Sequence, residues 1–97
     1  MPLWDRIAEL LSLPEDGPDA PTIEAIETTL TDGYAAALAI DAERLRIERR
    51  LGDSPDKKQI ARLSKRLETA DRDLAELRPL LRSLHARARA TRRARAA

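Results

Sequence analysis

The sequence predicts an all-α protein: a long antiparallel helical hairpin, coiled-coil-like, with a short N-terminal amphipathic helix, completed into a bundle by dimerisation. Three observations carry that expectation. Ile60, Leu63, Leu67, Ala70, Leu74, Leu77, Leu81, Leu84 and Ala88 recur at steps of three and four, the spacing that lines one face of an α-helix and makes a narrow seam. Upstream, Ile23, Ile26, Leu30, Gly33, Ala37, Ile40, Arg44, Ile47 and Leu51 repeat the same step. Between the two series, Leu51-Gly52-Asp53-Ser54-Pro55-Asp56 offers Gly52 for a left-handed helix end, Ser54 as an N-cap and Pro55 at a first helical position, the marks of a tight αα-turn.

Composition points the same way. Charged residues make up 36% of the 97-residue chain and aromatics 2%, and Phe is absent, so the core must be Leu, Ile and Ala, as in helical bundles. A chain this short forms one domain and buries a modest fraction of its surface, so partner surface is expected. The lack of Cys excludes disulfides, thiol chemistry and thiolate metal sites. The longest apolar run, Tyr34 to Ile40, has seven residues, where a membrane span needs about 20. The first residues carry Asp5 and Glu9 with no basic start, unlike a secretory signal or transit peptide; the expected location is cytoplasmic.

Residues 2–13 read as a short amphipathic helix, with Leu3, Trp4, Ile7, Leu10 and Leu11 on one face. About three turns are too few to persist undocked. The segment therefore either packs on its own bundle or presents Leu3, Trp4, Ile7 and Leu11 to a partner. Residues 14–21, with three prolines, one glycine and three acids, form a linker. The hairpin occupies 22–97: helix 1 about 22–51 with Asp19 or Thr22 as N-cap, a turn at 52–54, helix 2 about 55–90, and a frayed basic tail. Folding back pairs Leu51 with Ile60, Ala37 with Leu74, Leu30 with Leu81 and Ile26 with Leu84. Gly33 marks either close helix approach or a break in helix 1. Pro79, outward on helix 2, predicts a kink.

A second row on helix 1, Tyr34, Leu38 and Leu45, widens its apolar stripe beyond what one neighbour covers. These three join the N-terminal residues as candidate partner-binding positions. The partner expected first is a second copy, then another protein.

Charge is segregated. Residues 1–43 hold ten acids against Arg6, and the remainder holds 17 basic and seven acidic residues. From Leu77 onward there are seven arginines and no acid. Arg87, Arg89, Arg92, Arg93 and Arg95 are thus candidate nucleic-acid contacts, although no aromatic is interleaved to stack on bases. The competing expectation is intramolecular, with Glu24 and Glu27 facing Arg82, Arg87 and Arg89. Arg44 falls in a seam position, where it either snorkels to the edge of the seam or, if buried, needs a carboxylate, Asp41 or Glu48, or receives an anionic ligand. His85 is the sole histidine and lacks the spacing of a metal site. No serine has an adjacent base and no phosphate-binding loop is present. No cofactor, metal or catalysis is expected. The chain reads as a non-enzymatic protein–protein interaction module, with nucleic-acid binding by the tail, and a ligand-binding or catalytic bundle around Arg44, as the alternatives.

Overall fold

A computed structural model describes residues 2–96 and shows three helices: α1 (Pro2–Ser12), α2 (Ile23–Gly52) and α3 (Lys57–Ala96). The two long helices pack against each other as a hairpin, and α1 lies against both at the open end. The body measures 60 × 20 × 15 Å, the shape of a helix pair rather than a globule. No helix among the described residues is long and apolar enough to cross a membrane.

Each boundary has a local cause. The Thr22 hydroxyl accepts the Ala25 N–H at 3.1 Å, which removes one of the orphan donors at the start of α2. At the turn, the Asp56 carboxylate accepts the Gln59 N–H at 2.8 Å while the Gln59 side chain accepts the Asp56 N–H at 3.3 Å. This reciprocal pair is a capping box. It starts α3 later than expected: Asp56, not Ser54, caps the helix, and Pro55 lies outside it. The turn also leaves Gly52 inside the last turn of α2, where the Asp53 N–H bonds to Arg50 O. The left-handed step falls instead on Ser54, at φ +56°. A non-glycine residue there costs about 1–2 kcal/mol. Ser54→Gly is therefore expected to raise stability by about 0.5–1 kcal/mol, read as a higher urea midpoint with an unchanged slope.

The longer turn shifts the pairing. Leu81 sits against Gly33 rather than Leu30; a Cβ on Gly33 would lie 2.3 Å from Leu81 Cδ2. Gly33 thus serves close approach, and α2 continues through it. Ile60, expected in the seam, is 43% exposed, because the first turn of α3 lies level with the end of α2. At the other end, α3 continues through Pro79 and past residue 90 to Ala96, so the tail expected to fray is helical; Arg92 and Arg95 in that stretch are held by Glu27 and Glu24 of α2.

The core is unevenly built. At the open end Leu3 and Ile7 of α1 close over Ile26, Leu77 and Leu84, with Ile7, Ile26, Leu77 and Leu84 fully buried. Toward the turn, Ile47, Leu63, Ala70 and Leu74 are buried between two helices alone. One face of the hairpin beyond α1 keeps an open apolar groove of about 670 Å³ over Ala39, Ile40 and Ala70.

Candidate protein-docking flank

The docked α1 defines the two sides of the hairpin. Arg6 reaches from α1 to α2, donating to Asp32 at 3.0 Å and to Thr29 Oγ1 at 3.3 Å. Thr29, buried, donates its own O–H to Ala25 O at 2.9 Å, so its hydroxyl is satisfied on both counts. At the other end of α1, Arg87 of α3 donates to the carbonyls of Leu11 at 3.1 Å and Leu13 at 2.9 Å, and more weakly to Pro14 at 3.4 Å. Those are the orphan acceptors at a helix C-terminus, and the guanidinium also meets the negative end of the helix dipole. A residue expected to contact phosphate is thus a helix cap contributed from 74 residues away.

Of the candidate N-terminal contacts, Leu3 and Ile7 are core residues, and Trp4 and Leu11 pack half-buried beside them. The second row is different. Tyr34 is 46%, Leu38 70% and Leu45 47% exposed. At about 100° per residue, these three project from α2 on the side roughly opposite Thr29, Asp32 and Ala36, which face α1. Ile60 of α3 belongs to the same flank, as do Arg78, Arg82, His85 and Arg89; Tyr34 lines one recess with Arg78, Arg82 and His85. Every large exposed hydrophobic residue that the described chain carries outside α1 is therefore on the flank that α1 does not cover.

A band of ion pairs crosses this flank near its middle. Arg78 donates to Asp41 at 3.1 Å, and Arg44 Nε stands 2.8 Å from Asp71. The Arg44–Asp71 contact lies off the N–H direction, since Nε has no hydrogen-bond partner; the attraction there is Coulombic. Glu48 at 3.7 Å and Asp41 at 3.9 Å complete a set of three carboxylates around Arg44. Its charge is answered within the hairpin, and an added anion would meet those carboxylates first. Among the described residues no group of three or more acids or histidines is placed to hold a metal ion.

The tail arginines divide. Arg92 pairs with Glu27 at 2.9 Å and Arg95 with Glu24 at 3.4 Å, one or two turns beyond the partners the sequence suggested. The shift follows from the longer turn and from the reach of arginine along the helix surface. Arg89 and Arg93 are exposed.

The chain matches no protein-family model, and comparison with curated proteins and with solved structures finds no match. Function is therefore read from the flank's own chemistry.

Two carboxylates record the charge pairing. Hydrogen bonds from Arg46 and Arg66 hold Glu43 below the usual 4.5, and a backbone hydrogen bond at the start of α2, with help from Arg95, does the same for Glu24. A carboxyl whose folded value is depressed stabilises the fold above its unfolded value, and that contribution is lost as pH falls through the folded one. Glu43→Gln is accordingly expected to lower the melting temperature at neutral pH, with the gap to wild type closing as pH falls below 4.5. A gap that persists unchanged in acid contradicts the pairing.

Proposed function

We propose that the protein is a non-enzymatic interaction module that works as an oligomer of helical hairpins, in the manner of a scaffold, adaptor or small assembly subunit. The observation that carries this reading is the flank of Tyr34, Leu38, Leu45 and Ile60, 43 to 70% exposed, in a chain whose own spare helix is already docked on the other side. Covering such residues contributes about 1.5–3 kcal/mol for each one fully buried. Exposed apolar residues gathered on one flank, here on either side of the ion pairs of Asp41 and Arg44, mark an interaction site more often than the same residues scattered singly do.

The tail reading is weakened by the cis roles of Arg87, Arg92 and Arg95, which leave Arg89 and Arg93 as the two of the five that no contact within the hairpin engages. Two such cations give a shallow salt dependence.

Sedimentation equilibrium tests the proposal. Wild type is expected to exceed the 10.9 kDa of one chain at micromolar concentration, and Leu38→Glu with Leu45→Glu is expected to return it to that mass with helicity intact, since neither side chain supports the hairpin core. A wild type that remains at the mass of one chain contradicts it.

A further inference from the structure

We infer that the occupant of this flank is a second copy of the chain, packed antiparallel about a two-fold axis that crosses the flank at the level of Ala39 and Ile40 of α2 and of Leu74 and Ala75 of α3. The inference rests on the oligomeric reading above and adds the surface, the direction and the register.

Register comes first. Along α2 the midpoint of Tyr34 and Leu45 falls between Ala39 and Ile40. Along α3 the midpoint of Asp71 and Arg78 falls between Leu74 and Ala75. Because Leu81 lies against Gly33, and both midpoints are equally many residues from that contact, they stand at the same level of the hairpin. One two-fold axis at that level therefore serves both rows at once. It sets Tyr34 against Leu45 of the partner subunit, brings Leu38 close to its own copy, and sets Arg78 against Asp71 of the partner subunit.

Direction follows from the charges. The open-end half of the flank carries Arg78, Arg82, Arg89, Arg92 and Arg93 with Glu27, a net charge of +4, and the turn half carries Asp41, Glu48, Glu68 and Asp71 with Arg44, Arg49 and Lys57, a net charge of −1. Laying two copies face to face with the open ends opposed puts the basic half on the acidic half, which favours association and fixes orientation. It also stacks α2 on α2, so the apolar row meets the apolar row. The parallel alternative places like-charged ends together and sets Tyr34, Leu38 and Leu45 against the charged row of α3. Its apolar residues would be covered by guanidinium and carboxylate groups, whereas the antiparallel packing sets apolar against apolar and opposite charge against opposite charge.

Size is sufficient. The flank is 60 Å long and at least 15 Å wide between Cα atoms, enough for the roughly 800 Å² per partner of a standard interface. With α1 on the far side, nothing in the described chain blocks the approach. The four helices at the centre then form a bundle, and each α1 lies outside it.

Because the chain has no cysteine, single-cysteine variants report only the position introduced. The test treats full-length Leu38→Cys, Ile60→Cys and Arg89→Cys with a short bismaleimide, alongside sedimentation of wild type. Leu38→Cys is expected to cross-link to itself. Ile60→Cys is expected not to, since the two copies of residue 60 stand about 43 Å apart along the axis at 1.5 Å per residue, but to cross-link when mixed with Arg89→Cys. Leu38→Glu is expected to weaken association at least about tenfold, the loss of one interface anchor. Self-cross-linking of Ile60→Cys overturns the antiparallel direction. A wild-type dimer in which none of these positions cross-links overturns the surface and leaves the oligomeric reading standing. A wild type of single-chain mass overturns both.

Discussion

Leu74→Asp is expected to abolish the cooperative fold. Leu74 is 2% exposed, in the stretch of hairpin where two helices alone supply the core. A carboxylate there has no cation directed at it and no third helix to readjust. Burying an unpaired charge costs several kcal/mol even after it shifts its pKa, a large share of the roughly 5–15 kcal/mol that holds a domain folded. Circular dichroism at 25 °C should show loss of most helix and no sigmoidal melt. The matched control is Leu38→Asp, 70% exposed, which places the same charge on the outer flank and should leave the melt of the single hairpin cooperative. Similar behaviour of the two variants would contradict the assignment of inside and outside.

Ile7→Asp is expected to release α1 from the hairpin. Ile7 is fully buried between α2 and α3, and α1 has only 11 residues, too few to stay helical undocked. Trp4 is the single tryptophan, so its emission reports the event directly: a red shift on exposure to water, with a stability loss of about 3–5 kcal/mol. Arg87→Met should move the same signal by less, because it removes hydrogen bonds to carbonyls that water can replace once they are exposed. Emission unchanged in Ile7→Asp would show that α1 is not docked through this residue.

These two substitutions mark how far the sequence carried. The seams were legible because a stripe at steps of three and four admits one secondary structure, and Leu63, Leu74, Leu77 and Leu84 are buried as their spacing requires. The row at Tyr34, Leu38 and Leu45 was legible for the same reason: it stands too far round α2 to share the α3 seam. The turn departs in detail from what its residues suggest. Gly52 and Ser54 carry strong local preferences, but Asp56 and Gln59 form a reciprocal cap that outweighs them, and the D-x-x-Q pattern was present in the sequence to be read. Once the cap moved, the pairing shifted, so Ile60 left the core and Glu24 and Glu27 met Arg95 and Arg92. Arg87 was beyond reach of pattern reading. Nothing local distinguishes it from its neighbours in the basic tail; only the docked position of α1 brings the carbonyls of Leu11 and Leu13 to it.

The proposal that a second copy covers the flank opposite α1 is tested most directly by small-angle X-ray scattering with an absolute mass. The account predicts twice the 10.9 kDa of the chain in a particle little longer than 60 Å, since antiparallel copies overlap along almost their whole length. A particle of single-chain mass with a radius of gyration near 17.7 Å, or one of double mass and nearly double length, would contradict it.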